Sequence, residues 1–533
     1  MGMPSDRFAG PLPERADVVV IGAGSAGCVV ARRLADAGAR VALLEAGPVD
    51  DEPAILDPLR MFELWGLFEP SPLDWGYDSV EQAHLAGRRV HQTRGKVLGG
   101  SSSVNGMYHV RGHRHDYDTW AHLGNAGWRH EDVLPLFKRS EDFDGAVSKH
   151  RGTGGPLSVF SDYEPHPLSA AIIEAAVQAG HPRNPDYNAH DTAGVAPIQL
   201  NARAGERHSS ARAFIYPIAQ APNLTVRTGC HVQRLLVEDG RCVGVELMRD
   251  SARETISATE VVLSAGTFDS PKLLMLSGIG PAAELDAHGI ATVADLPGVG
   301  RNLQDHVFSP LVFAAARPLP PAVPQVPIYH VHMFFHSRAG LPAPDLQSLF
   351  GHMPHYPEGY QGPEAAFTLT SMLNRPASRG TVQLASADPA AAPLIDPNYG
   401  SCDADLDAIA SGLEQLRDVA AQTALAPWRG KELAPGPGVA TRAQLRDYVR
   451  ATMSTIYHPA GSCRMGTDEL AVVDPSLRVH GVDGLWIADA SVMPLITSGN
   501  THAPTVMIGE RAADNVGQAL GAGQAEALAV GAA

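Results

Sequence analysis

The stretch Asp17-Val18-Val19-Val20-Ile21-Gly22-Ala23-Gly24-Ser25-Ala26-Gly27 decides how this chain begins to fold. A short unbroken apolar run closed by glycine reads as a strand buried on both faces. A helical pattern follows over 25–37, and Arg40-Val41-Ala42-Leu43-Leu44 is a second buried strand ending at Glu45. Together these make the βαβ opening of a parallel sheet. Gly22, Gly24 and Gly27 satisfy G-x-G-x-x-G: the first allows a tight turn, the second lets main chain approach a pyrophosphate, and the third lets helix pack on strand. The helix start, at Ser25 and Ala26, presents free N–H groups and a positive dipole end to phosphate. Glu45 lies 18 residues beyond Gly27, beside Ala46, where a carboxylate accepts ribose hydroxyls and repels a 2′-phosphate. The stretch points to a dinucleotide without separating NAD from FAD.

Outward from this stretch, the 533 residues carry 41 basic and 58 acidic side chains, a formal charge of −17 that excludes a protein coating nucleic acid. Hydrophobic residues make up 44% and charged residues 19%, the balance of a globular protein with a large core. No apolar run approaches the roughly 18–20 residues of a membrane span, and 1–15 has no apolar signal core, so a soluble cytoplasmic protein is expected. The five cysteines are odd in number, scattered and without C-x-x-C, which argues against a disulfide framework and a zinc site.

Further along, 224–246 reads as a hairpin about Asp239-Gly240, with Cys242 opposite Val237. Glu260-Val261-Val262-Leu263-Ser264 is another buried strand, running into a helix over 271–276. A Pro-rich linker is expected at 318–327, helices at 403–423, 442–453 and 504–519, and a strand at 485–488.

Two long motifs narrow the cofactor. Arg94-Gly95-Lys96-Val97-Leu98-Gly99-Gly100-Ser101-Ser102-Ser103-Val104-Asn105-Gly106-Met107 resembles the first signature of the glucose-methanol-choline (GMC) oxidoreductases, and 266–280 resembles the second. The resemblance continues through 296–306, 378–380, 395–399, Tyr457-His458-Pro459, Cys463-Arg464-Met465-Gly466 and 488–494, so it spans nearly the whole chain. It implies that the dinucleotide is FAD, held by the glycine turn and by Arg94, Gly95, Gly99, Gly100, Ser101, Asn105, Gly106 and Met107 around the isoalloxazine ring. Small residues let main chain approach a flat ring, and successive N–H groups stabilise the charge of a reduced flavin. Val232 is expected at the adenine end, and Asp489 and Ala490 at the pyrophosphate and ribitol. Val104 stands where some relatives carry a flavin-linked His, so non-covalent FAD is expected. His109 departs from the family signature.

Removing a hydroxyl proton so that hydride can leave the carbon suits an imidazole. Among 23 histidines, position within a motif must select. The resemblance implies His458 as the catalytic base and His502, in Ser498-Gly499-Asn500-Thr501-His502, as its partner on the substrate oxygen. Strand alternation places His330, His332, Phe334 and His336 on one face; with Tyr457, the first three are expected to line the substrate cavity. Their H-x-H spacing lacks a second ligand cluster, so no metal is expected.

The expected activity is oxidation of a primary, aromatic or polar alcohol to the aldehyde, with reoxidation by oxygen or another acceptor. The alternatives are a choline-type or polyol dehydrogenase and, from another class, a hydroxynitrile lyase of the same fold or a non-catalytic flavoprotein. A strand face without a carboxylate weakens the choline reading. The expected fold class is an α/β composite, with a Rossmann-like FAD-binding domain from 16–160, 206–317 and 455–520. A substrate-binding domain on an antiparallel sheet is expected from 161–205 and 318–454, with flexible termini at 1–15 and 521–533.

Overall fold

The computed structural model describes residues 8, 10–66 and 69–531, the last ten of these as helix backbone only. The flexible ends expected at 1–15 and 521–533 fall partly outside the described residues; of the rest, Arg15 opens a strand and the final helix runs from His502 to Gly531, beyond the end expected at 519.

Two seven-stranded sheets organise the chain. In the first, Arg15–Ile21 lies between the parallel strands Val41–Leu44 and Ala252–Leu263. Leu224–Arg227 extends one side, and Leu485–Ile487 pairs with the C-terminal half of Ala252–Leu263. Val18, Val19 and Val20 have no exposure on either face, the burial their unalternating sequence implies. Helix Gly27–Asp36 covers one side, and Gly27 is needed because a Cβ there would lie 1.9 Å from the Gly22 carbonyl oxygen. The hairpin is His231–Glu238 with Arg241–Arg249, and Val237 faces Cys242 as expected. Leu224–Arg227 lies outside it: the chain turns at Gly229, whose φ is +67°, and the earlier segment runs parallel to Val41–Leu44 instead. The helix expected at 271–276 starts earlier, at Gly266.

The second sheet is antiparallel, in the order Arg429–Ala434, Val307–Ala315, Ala366–Leu373, Leu346–Gly351, Tyr329–Phe335, Gly194–Pro197, with Ser454–Thr455 also on Val307–Ala315. Helices Pro167–Gln178, Asp403–Ala421 and Arg442–Thr452 share an apolar core with it, in which Leu406, Ile409 and Leu413 meet Leu346, Phe350 and Leu369. The strand Val307–Ala315, placed with the FAD-binding segments by the sequence reading, is hydrogen-bonded into this sheet, so the change of unit falls before Val307 rather than at the proline-rich linker. Its apolar run would serve either sheet, and only pairing decides. Among the described residues, no helix is long and apolar enough to cross a membrane.

Candidate active site

A cavity of about 730 Å³ is lined from one side by the first sheet and its glycine turn and from the other by Phe308, Tyr329, Leu349, Thr370 and Met372 of the second. At one end the Glu45 carboxylate accepts the Ala23 and Gly47 backbone N–H groups at 3.0 and 2.9 Å, which fixes the turn. Burial pushes the Glu45 carboxyl up to about 7, against those hydrogen bonds. The Gly99 N–H donates to the Ala23 carbonyl at 2.8 Å, tying the second glycine loop to the first. A Cβ at Gly100 would come within 2.7 Å of the Gly24 Cα, so close approach explains that glycine.

Of the expected cofactor contacts, Gly22, Gly24, Ser25, Ala26, Glu45, Ala46, Arg94, Gly95, Gly100, Ser101, Asn105, Gly106, Val232, Asp489 and Ala490 face the cavity. Gly27, Gly99 and Met107 do not line it: Gly27 packs on the turn, Gly99 ties the loops, and Met107 is buried in a small apolar cluster. Asp489 accepts the Gly266 N–H at 2.9 Å, the Ser270 hydroxyl at 2.6 Å and the Ser491 N–H at 2.8 Å, so it caps a short helix as well as facing the cavity. Val104 lines the cavity with no nucleophile to offer. His109 is buried away from it, 3.2 Å from the Asn201 amide.

A dinucleotide fits these residues. A Cβ built on Gly24 meets nothing within 4 Å among the described residues, so the turn opens onto free space, and the buried His502 Nε2 has no partner among them. Among the described residues no group of three or more His, Cys, Asp or Glu is placed to hold a metal ion.

The far end of the cavity is built around His458. Asp305 holds its main chain: one carboxylate oxygen accepts the His458 N–H at 2.9 Å, and the other accepts the hydroxyls of Thr455, at 2.6 Å, and Tyr399. Burial pushes the Asp305 carboxyl up to about 6. Tyr457, just before the histidine, sits at φ +65°, a conformation that costs a non-glycine residue energy and is maintained by this clamp and by the Arg94 guanidinium donating to the Tyr457 carbonyl at 2.5 Å. Tyr457 lines the cavity, as expected, and its ring packs edge-on against Trp65 at 5.3 Å.

The His458 ring has two neighbours. His306 Nε2 lies 3.0 Å from the Asn374 carbonyl oxygen, which can only accept, so His306 carries its proton there and its Nδ1 is a lone pair. Burial holds His306 down to about 3, hence neutral, although the Asn374 and Thr497 carbonyls favour its charged form. His458 Nδ1, 3.0 Å from His306 Nδ1, must therefore donate, leaving His458 Nε2 as an acceptor. Asn500 Nδ2 donates to it at 3.1 Å. Burial first, then electrostatic coupling to His306, Arg94 and His332, holds His458 well below the ordinary imidazole range. The ring is neutral, with its Nε2 lone pair turned toward Asn500.

The pairing of His458 with His502 expected from sequence is not what the fold makes. His502 opens the last helix and its Nδ1 lies 3.0 Å from the Ser25 hydroxyl, at the glycine turn; burial lowers it to about 4. Asn500 lies two residues before the helix begins, and its side chain meets His458 while that of His502 meets Ser25. His330, His332 and Phe334 also miss the cavity. A register irregularity between Tyr329 and Val331 displaces His330, whereas His332 and Phe334, paired with Leu349 and Gln347, keep the expected face but are covered by Tyr187. His330 packs edge-on against His352, at 4.6 Å, while His332 and Phe334 pack on Tyr187. Tyr329 is the residue of that strand that reaches the cavity. His306, Asp305 and Asn500 were all inside quoted motifs; their roles lacked any local signal because their partners are remote in sequence.

Profiles described as GMC oxidoreductase match residues 16–308 and 376–509. The chain is 39% identical over 531 residues to an oxygen-dependent choline dehydrogenase of Rhizobium johnstonii, covering 94% of this chain and 95% of that protein. It is 39% identical over 528 residues to an alcohol dehydrogenase [acceptor] of Pseudomonas putida, covering 93% and 95%. Its structure resembles pyridoxine 4-oxidase from Mesorbium loti, with a TM-score of 0.90, 35% identity and coverage of 94% and 99%. The βαβ turn, the two glycine loops and the shared cavity thus have one explanation: the chain belongs to the GMC oxidoreductase family and is an FAD-dependent oxidoreductase acting on CH–OH donors.

Proposed function

We propose that this enzyme oxidises a neutral, largely apolar or aromatic primary alcohol to the aldehyde, with oxygen or another acceptor completing the cycle. The observation that carries the proposal is the His458 Nε2 lone pair, held by His306 behind it and facing Asn500 across the end of the cavity. An alcohol hydroxyl entering there donates its proton to His458 Nε2, while the Asn500 N–H turns to the oxygen and stabilises the charge that develops on it. Bound FAD, held non-covalently, supplies the two-electron acceptor for the hydride that leaves the alcohol carbon. Phe62, Trp65, Phe308 and Tyr329 give the cavity wall an aromatic character suited to an apolar or aromatic alcohol. His502, beside Ser25, serves the cofactor rather than the substrate oxygen.

The choline-type reading is supported by the name of the Rhizobium relative. Against it, the acidic residues lining the cavity are Glu45, Asp269 and Asp489. All three are engaged away from His458: on the glycine turn, with Tyr77 and at Gly266. Among the described residues, no carboxylate of the cavity wall stands by His458 to neutralise a quaternary ammonium, and the aromatic rings alone offer a weaker site for it.

Anaerobic mixing of the holoenzyme with a panel of primary alcohols, choline included, tests this directly. Bleaching of the flavin band by aromatic alcohols, faster than by choline, is expected; no bleaching with any alcohol overturns the proposal. His458→Ala should retain FAD and slow reduction by about 10²–10⁴-fold.

A further inference from the structure

We propose that Gln347 is a positioning residue of the reaction, which acts by keeping the Asn500 amide turned with its N–H groups toward His458 and the substrate oxygen. This rests on the alcohol-oxidation reading above. Gln347 lies on the strand Leu346–Gly351, opposite Phe334 on one neighbouring strand and Met372 on the other, and its side chain is fully buried. Its Nε2 is 3.2 Å from Asn500 Oδ1 and 3.3 Å from His332 Nε2.

The direction of every hydrogen bond in this row follows from one fixed point. The Asn374 carbonyl makes His306 Nε2 the donor, His458 Nδ1 then donates to His306, and His458 Nε2 is left to accept. Asn500 can meet a lone pair there only with Nδ2, so its Oδ1 must face Gln347. Gln347 answers with Nε2, giving one hydrogen to Asn500 Oδ1 and the other to His332 Nε2. Burial holds His332 down to about 3, so it is neutral, and because Gln347 Nε2 can only donate, the His332 lone pair is on Nε2.

The opposite amide orientation would set Gln347 Oε1 against Asn500 and pull the Asn500 N–H groups away from His458, bringing two acceptors together. The arrangement is not chosen for the comfort of Gln347: its Oε1 is buried with no partner among the described residues, and so is His332 Nδ1. An unpaired buried acceptor of this kind ordinarily costs about 1–3 kcal/mol, which a Leu of similar volume would avoid. A glutamine whose oxygen is left unpaired while its nitrogen makes two contacts is explained by the orientation it imposes on Asn500.

The experiment compares reduction of the flavin by an aromatic alcohol in wild type, Gln347→Leu, Gln347→Glu, Asn500→Ala and the double variant Gln347→Leu/Asn500→Ala. FAD content and melting temperature are measured for each. Loss of one preorganised donor slows reaction by about 10²–10³-fold, so freeing rather than deleting the donor in Gln347→Leu should slow reduction by about 10-fold with substrate affinity nearly unchanged. Gln347→Glu keeps the size and, while its buried carboxyl is protonated, can still donate to Asn500 Oδ1, so it should be faster than Gln347→Leu at low pH and become slower than it, approaching Asn500→Ala, once the carboxyl ionises. In the Asn500→Ala background, Gln347→Leu should have no further effect, because the residue it acts through is gone.

Equal slowing by Gln347→Leu with and without Asn500, or a Gln347→Glu variant no faster than Gln347→Leu at any pH, overturns the proposal. Should the variants not fold, a neutron structure of the wild-type holoenzyme reads the same polarity: deuterium on His458 Nδ1 and His306 Nε2 is expected, and deuterium on His458 Nε2 overturns it. A wild-type enzyme reduced by no alcohol would overturn the function reading, whereas the neutron map judges the Gln347 arrangement without turnover.

Discussion

Gly24 and Gly27 stand three residues apart in one turn, yet the structure assigns them separable duties. A Cβ at Gly27 would lie 1.9 Å from the Gly22 carbonyl oxygen and 3.1 Å from its carbon, both main chain. Relief requires the helix to move off the strand by about 1 Å, and overpacking of this kind costs about 1–3 kcal/mol. At about 2–4 °C per kcal/mol, Gly27→Ala should lower the melting temperature of the apoprotein by several degrees, with FAD affinity falling as a consequence. A Cβ at Gly24 meets nothing within 4 Å and requires no left-handed backbone, so Gly24→Ala should leave the apoprotein within about 0.5 kcal/mol of wild type. The added methyl projects from the cavity wall into the space the dinucleotide takes. A penalty of about 1–3 kcal/mol there weakens FAD binding by about 5- to 150-fold. Titration of deflavinated protein with FAD, alongside thermal unfolding of the apo and holo forms, separates the two. If Gly24→Ala destabilises the apoprotein as much as Gly27→Ala does, or binds FAD as wild type does, the division is wrong.

Asn500→Ala should slow flavin reduction by about 10²–10³-fold with FAD retained, while His502→Ala should chiefly weaken FAD binding; stopped-flow reduction and FAD titration reversing that pattern would restore His502 as the partner of His458. His458 acts as a base when neutral and its environment holds it below 6.5, so the reduction rate should stay level as pH falls through 6.5 and drop only in more acid solution. An acid limb centred above neutrality would contradict that. His91, 2.8 Å from Asp74 and 3.0 Å from Asp78, is raised to about 9 mainly by its hydrogen bond to Asp74, against a burial cost. Its folded value exceeds its unfolded one, so the pair stabilises fully below pH 6.5 and the contribution is lost as pH rises through about 9. With solvent at the pair, about 1 kcal/mol is expected, and His91→Gln should flatten the melting temperature across that window.

Much of the fold was legible because its signals are local. An unalternating run such as Val18-Val19-Val20 has one comfortable environment, a strand covered on both faces, and it has none of its surface exposed. The glycine turn, the pairing of Val237 with Cys242 and the helices near 403–423 and 442–453 followed from periodicity and turn chemistry. Strand partnership was less legible. Val307–Ala315 is apolar enough for either sheet, and Leu224–Arg227 for either a hairpin or a parallel edge. An irregularity at Tyr329 and Val331 displaced His330, and Tyr187, remote in sequence, covers His332 and Phe334, so three expected residues are missing from the cavity wall.

By itself, the sequence determined a βαβ dinucleotide turn, a second glycine loop against it, an acidic residue after the second strand and a histidine in the right company. Those features depend on residues within a few positions of one another, whose backbone geometry and side-chain spacing carry the information. Tertiary structure alone decided what faces the His458 imidazole. His306 reaches His458 across 152 residues of chain, and Asn500 reaches it across 42. The divergence of Asn500 and His502 depends on where a helix begins, and the donor direction of the whole row depends on one carbonyl, at Asn374. A hydrogen bond needs its two atoms within about 3 Å and correctly directed, and for groups so far apart in sequence only the packed fold can arrange that.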